Sequence, residues 1–162
     1  VPVPAGFQLL PQHLRSAGYY CSNNVKEDYN VAPEGQVWDE SSNRAHWNKR
    51  GSDQPFFAVF NTTTTHESQI RVSDAEFEKK VARVPKERRH SPDLAVLPPY
   101  YPDTAVVRRD WARYQDLISA MDIEVGELLE HQQAEVVAGG DVDQRDPGWL
   151  ARRIKHLVFF AE

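Results

Sequence analysis

Two residues close apolar runs with side chains suited to an anionic ligand. Lys26 lies in Asn23-Asn24-Val25-Lys26-Glu27-Asp28-Tyr29-Asn30, directly after the strand-like Tyr19-Tyr20-Cys21-Ser22. A lysine there can hold an anionic group as a compact point charge; its ordinary alternative is a solvated loop lysine. His66 follows Thr62-Thr63-Thr64-Thr65, which extends the apolar run Pro55 to Asn61. An imidazole in that place can donate to an anion or act as acid or base near neutral pH. Its ordinary alternative is to cap the strand. Open α/β sheets set their ligands just beyond the carboxyl ends of strands, and both residues occupy such ends.

The remaining candidates read as structural. His46, in Asn43-Arg44-Ala45-His46-Trp47, has no partner at metal-ligand spacing and is expected to pack on Trp47. Cys21 lies inside a strand, with no basic neighbour to activate it, and reads as a buried thiol. The stretch from Lys79 to His90 holds Lys79, Lys80, Arg83, Lys86, Arg88 and Arg89, a charge run of the kind that usually forms a solvated face.

The elements that must position these groups follow from pattern and punctuation. Gln8 to Ala17 reads as a short helix with Pro11 in its first turn and Gly18 as its stop. Tyr19 to Ser22 is a short strand, and Asn23-Asn24 a turn. Val31 to Gln54 shows no sustained period and reads as loop, anchored by Trp38 and Trp47. Pro55 to Asn61 is a continuous apolar strand, as expected of a parallel strand covered on both faces. Ser73 to Val81 reads as a helix, with Ser73 as N-cap and Glu76 completing a capping box. Val84 to Thr104 is proline-rich and irregular.

From Val107 to about Gln133, Trp111, Tyr114, Leu117, Ile118, Met121, Val125, Leu128 and Leu129 recur at spacings of three and four. That is one apolar stripe at helical period, expected to be core from Trp111 to Leu129. Gly139-Gly140 and Asp146-Pro147-Gly148 then break the chain before a short Trp149–Lys155 stretch and a last strand, His156 to Ala161. Strands separated by a long helix make the fold class α/β, with a mostly parallel sheet and helices on both faces.

Composition narrows the function classes. The 162 residues carry 19 basic and 24 acidic side chains, a formal charge of −5. A mildly acidic chain is not built as a general polyanion binder, so no nucleic-acid partner is expected. No apolar run approaches the roughly 20 residues that cross a bilayer. The single cysteine excludes an internal disulfide framework and a multi-cysteine zinc site. The chain opens at Val1 without methionine and stops in the apolar run Leu157-Val158-Phe159-Phe160-Ala161-Glu162. Ends of that kind are expected of a piece of a longer protein.

Several strings together resemble the sulfatase family of the alkaline-phosphatase-like superfamily, closest to its bacterial heparan N-sulfatase-like and arylsulfatase-type members. They are Leu14-Arg15-Ser16-Ala17-Gly18-Tyr19-Tyr20-Cys21-Ser22-Asn23-Asn24-Val25-Lys26-Glu27-Asp28-Tyr29-Asn30, Trp38-Asp39-Glu40-Ser41-Ser42 and Pro55-Phe56-Phe57-Ala58-Val59-Phe60-Asn61 with Thr64-Thr65-His66-Glu67-Ser68. Pro98-Pro99-Tyr100-Tyr101-Pro102-Asp103-Thr104 and Val107-Arg108-Arg109-Asp110-Trp111-Ala112-Arg113-Tyr114 follow in family order. The resemblance spans about residues 8 to 130.

The resemblance implies part of a three-layer sandwich and an enzyme that hydrolyses sulfate esters or sulfamates. Its nucleophile would be a formylglycine hydrate, and calcium would neutralise the sulfate oxygens. By the same resemblance Lys26 matches the lysine of the family's G-K-x-H element, which contacts the sulfate and its leaving oxygen. His66 matches the histidine that protonates the leaving group or binds sulfate. Val25 stands where that element has glycine, and Asp28 where it has histidine; Asp28 would orient the formylglycine hydrate beside the substrate. Glu67-Ser68 replaces the commoner H-x-P. No C/S-x-P-S-R motif occurs in the chain, so formylglycine and the calcium ligands are expected in the parent protein, outside residues 1–162. The partner is then a sulfated small molecule or polysaccharide, and the family is usually periplasmic or secreted. A phosphodiesterase or phosphonate hydrolase of the same superfamily, or a non-catalytic glycan-binding module, stands as the alternative.

Overall fold

Pro11 and Gly18 bracket the first helix in the computed structural model, which describes residues 3–138 and 156–161. Helix α1 (Leu10–Ser16) carries Pro11 in its first turn, where a missing N–H leaves nothing unpaired. The Gln12 side chain accepts from the Leu9 N–H at 2.9 Å, satisfying one free donor of this end. At the other end Gly18 takes φ +91°, and the N–H groups of Tyr19 and Gly18 return to the carbonyls of Leu14 and Arg15, at 3.0 and 2.9 Å. This Schellman closure needs a left-handed residue, which favours glycine. The chain then reverses into strand β1 (Tyr20–Asn24).

The described residues form two compact units, one of residues 3–61 and 156–160, the other of residues 62–138 and 161. In the first, β1 is joined by β2 (Glu40–Ser41), β3 (Phe56–Thr62) and β4 (His156–Ala161) in the order β2-β1-β3-β4. Strand β1 runs parallel to both β2 and β3, with Ser22 opposite Glu40 and Cys21 opposite Phe57. The pleat sends Cys21, Phe57 and Val59 to one face, where they pack with Val37, Trp38 and the α1-flanking Leu9 and Leu14. Phe56 and Phe60 face the other way. There Trp47, in a one-turn 3₁₀ segment (Trp47–Lys49), stacks on Phe56 at 5.3 Å and meets Phe60 edge-on at 5.6 Å. Both faces are covered, and β3 is accordingly apolar without alternation.

The parallel sheet with its helices is α/β, as the pattern predicts, but two local expectations change. Asn23 and Asn24, expected as a turn, are the last residues of β1, since Asn23 pairs with Val59 and Asn24 with Phe60. The segment 31–54, expected as loop, supplies β2. Asp39 secures it, accepting from Arg15 Nε at 2.8 Å and from the Cys21 N–H at 2.7 Å. A two-residue strand is too short to show a period of its own. Burial, with Asp39 beside it, pushes the Cys21 thiol up to about 12, so the inert reading of this cysteine agrees with the structure.

The second unit is built on two helices. Helix α2 (Asp74–Lys80) begins with the expected capping box: Ser73 Oγ accepts from the Glu76 N–H, and the Glu76 carboxylate accepts from the Ser73 N–H at 3.1 Å. Those Ser73 hydrogen bonds hold the Glu76 carboxyl below its ordinary range. Helix α3 runs Ala105–Ala138, longer than the predicted 107–133. Phe77, Val81, Val84, Leu117 and Ala120 form the core, with Ile70, Val72 and Ile123 against it.

The buried face of α3 differs from the expected stripe. Ala112, Arg113, Asp116, Leu117 and Ala120 are buried, whereas Ile118 and Leu129 are exposed. Paired charges make this possible. Arg113 donates to the carbonyls of Ile70 and Val72 at 3.0 and 3.1 Å, pairs with Asp74 and lies 4.6 Å over the Phe77 ring. Asp116 accepts from the His90 N–H at 2.8 Å. Arg83 pairs with Glu127, and Arg89 donates to the Val81 and Val84 carbonyls, so part of the basic stretch fastens the unit together. The breaks at Gly139-Gly140 and Asp146-Pro147-Gly148 and the Trp149–Lys155 stretch lie outside the described residues.

Candidate functional site

In the first unit the carboxyl end of β1 leads straight into Lys26. Its ammonium lies 3.4 Å from Asp28, and both side chains are exposed, 43% and 77%. The backbone beneath them is held at several points. Asn23 Nδ2 donates to the Lys26 carbonyl at 3.0 Å, and Asn61 Nδ2 donates to the Asn24 carbonyl at 3.2 Å. Farther on, the Tyr29 hydroxyl accepts from Trp38 Nε1, and Asn30 takes the left-handed φ of +53° that asparagine tolerates. A cavity of about 240 Å³ opens here, with Tyr29, Trp38, Phe57 and Val59 as walls and Asn23, Lys26 and Asn61 as its polar groups. Such a place sets a cation beside aromatic surface, which suits an anionic group carried on an apolar or ring-shaped body.

His66 belongs to the second unit, where it caps a 3₁₀ segment (Glu67–Arg71). Its Nδ1 accepts from the Ser68 N–H at 3.2 Å and lies 2.8 Å from Ser68 Oγ. A backbone N–H can only donate, so the neutral ring carries its proton on Nε2. That tautomer presents an N–H to an anion or a leaving oxygen. The Glu67-Ser68 departure from H-x-P thus has a local consequence: proline at position 68 would have no N–H to give.

The threonines ahead of His66 are anchored on α3. Thr64 Oγ1 donates to the Glu124 carboxylate at 2.8 Å, and Thr62 Oγ1 does so at 3.1 Å. Thr65 is buried, its hydroxyl 3.7 Å from Met121 Sδ. Glu124→Ala is expected to accelerate amide exchange at Thr64, Thr65 and His66 about tenfold, because hydrogen bonds to a charged acceptor contribute about 1.5–3 kcal/mol. Unchanged exchange would show that Glu124 does not hold this loop.

Lys26 and Asp28 are thus brought together, while His66 sits in the other unit on its own support. His46 packs on Trp47 at 4.0 Å and caps the 3₁₀ turn by accepting from the Asn48 N–H. Sequence reasoning passed over Asn23, Asn61 and Glu124. Asn61 carried a signal, being a polar residue at the inward parity of an otherwise apolar strand. Among the described residues no three His, Cys, Asp or Glu side chains gather as a metal centre, and no helix is long and apolar enough to cross a membrane.

The chain is 37% identical over 152 aligned residues to an ulvan-active sulfatase of Formosa agariphila. The match takes in 78% of this chain and 26% of that protein, so the chain spans about a quarter of the length of this relative. No family model matches the chain, and no solved structure matches it. The likeness supports a sulfatase family, the one that the motifs around Lys26 and His66 resemble.

Proposed function

We propose that this chain is the middle part of a sulfatase catalytic domain, and that the protein carrying it hydrolyses sulfate esters. The observation that carries this reading is the 37% identity to a sulfatase across most of the chain. In this reading Lys26 contacts the sulfate and its leaving oxygen, holding the charge that develops there. Asp28, beside Lys26, lies next to the bound substrate. His66, protonated on Nε2, donates to the sulfate or hands its proton to the departing alkoxide.

Formylglycine would supply the nucleophile and calcium the charge neutralisation. Calcium takes roughly six to eight oxygen ligands, and the described side chains gather no such set. In this reading both groups are supplied by parts of the parent protein outside this chain, and the roles of Lys26, Asp28 and His66 stand without a step through them. The substrate class we favour is a sulfated polysaccharide, on the strength of the relative's activity toward ulvan. In this reading the parent protein works in the periplasm or as a secreted enzyme, where it would meet such a polymer.

The test is sulfate release by the full-length protein. It is expected to free inorganic sulfate from ulvan or another sulfated polysaccharide, measured by ion chromatography. Release from none of a panel of polysaccharides and aryl sulfates, with phosphodiesters cleaved instead, would overturn the proposal.

A further inference from the structure

Asn23 is a fully buried amide that shares its sheet face with apolar side chains. It is 0% exposed, on the same face as Cys21, Phe57 and Val59. Burying an amide is unfavourable unless each polar atom finds a partner. Asn23 does find them, on three different segments. Its Nδ2 donates to the Lys26 carbonyl at 3.0 Å and to Ser41 Oγ of β2 at 3.1 Å, while its Oδ1 accepts from Asn61 Nδ2 of β3 at 3.1 Å. This arrangement has only one orientation of the amide: rotated by half a turn, it would set an oxygen against the Lys26 carbonyl.

Asn61 extends the clamp. Its second N–H goes to the Asn24 carbonyl at 3.2 Å, so the backbone on either side of Val25 is gripped, at Asn24 by Asn61 and at Lys26 by Asn23. Neither bond belongs to the sheet ladder. Both act on the segment that carries the exposed Lys26 side chain out of β1.

We propose that Asn23, oriented by Asn61, is a positioning residue that sets the Lys26 ammonium for the sulfate group through Lys26's own carbonyl. This rests on the reading of Lys26 as a sulfate-contacting residue. A misplacement of about 1 Å in a reacting group can lower a rate about 10²-fold, which sets the scale of the effect.

The test is a double-mutant cycle in the full-length protein, with sulfate release as the rate and thermal melting followed in parallel. Asn23→Asp keeps the size of the side chain but removes both N–H donors. It is expected to lower kcat about 10- to 100-fold in the parent sequence, and to lower it no further in a Lys26→Met background. Equal losses in both backgrounds would show a merely structural role and overturn the proposal, as would an Asn23→Asp protein with undiminished kcat. If Asn23→Asp does not fold, the half-buried Asn61→Asp takes its place in the same cycle, and absence of coupling to Lys26 overturns the proposal. Lys26→Met with unchanged kcat would instead remove the reading of Lys26 itself, an outcome distinct from the failure of Asn23 alone.

Discussion

Lys26→Met in the full-length protein is expected to lower kcat for sulfate-ester hydrolysis about 10²- to 10³-fold, the range seen when one preorganised donor to developing charge is removed. Methionine keeps much of the apolar stem and discards the ammonium, so the loss reads the charge. Stability should hardly change. The Lys26–Asp28 pair is solvent-exposed at 3.4 Å, and exposed pairs contribute about 0–1 kcal/mol. The clamp from Asn23 grips the Lys26 carbonyl, which any residue at that position retains. A variant that melts like the parent and has lost most of its turnover is therefore the expected pairing. Turnover within about threefold of the parent would show that Lys26 is an ordinary loop lysine, since removing a preorganised donor costs far more. Asp28→Asn offers the contrast, being isosteric and keeping Lys26 in place.

The largest stability effect is expected at Trp47. Its ring is 0% exposed, stacked on Phe56 with an interplanar angle of 11°, edge-on to Phe60 and 4.0 Å from His46. Among the described residues it is the largest fully buried side chain. Trp47→Ala removes the indole and leaves a void that strands cannot close by bending, at a cost of about 3–5 kcal/mol. Urea unfolding of the protein should show the midpoint falling with little change in slope. Trp47→Phe, which keeps a ring against Phe56, should recover most of the loss. If the alanine variant cost less than about 1 kcal/mol, well below that range, the aromatic cluster would not be what holds this face.

The relation between Trp47 and Lys26 has a use in experiment. Trp47 sits on one face of the sheet with Phe56 and Phe60, and Asn23 on the other with Phe57 and Val59. A Trp47 substitution should move stability before turnover, and a Lys26 substitution the reverse. Measuring both readouts on both variants separates the fold from the chemistry.

Much of the candidate site was legible because the relevant signals are local. The apolar run of β3, the Ser73–Glu76 capping box and the helical period of α3 depend on neighbours within a few residues, and each appears in the structure near its expected place. Lys26 and His66 were marked by residue type and by position at strand ends. The motif strings around them gave the sulfatase resemblance, which the likeness to the ulvan-active sulfatase supports.

What tertiary structure alone decided involves partners far apart in the chain. Asn23-Asn24 have turn chemistry by composition, yet Val59 and Phe60, 36 positions on, draw them into a parallel ladder. Glu40-Ser41 become a strand only because β1 offers a free edge and Asp39 reaches Arg15 and the Cys21 N–H. Arg113 and Asp116 become buried seam residues because carbonyls, Asp74 and His90 meet their charges there. Local periodicity reports which face a residue can present; whether a polar group can afford burial on that face depends on the hydrogen-bond partners that folding brings to it. Lys26 could thus be named from the sequence, and the Asn23–Asn61 clamp beneath it could be seen only once β1, β2 and β3 stood side by side.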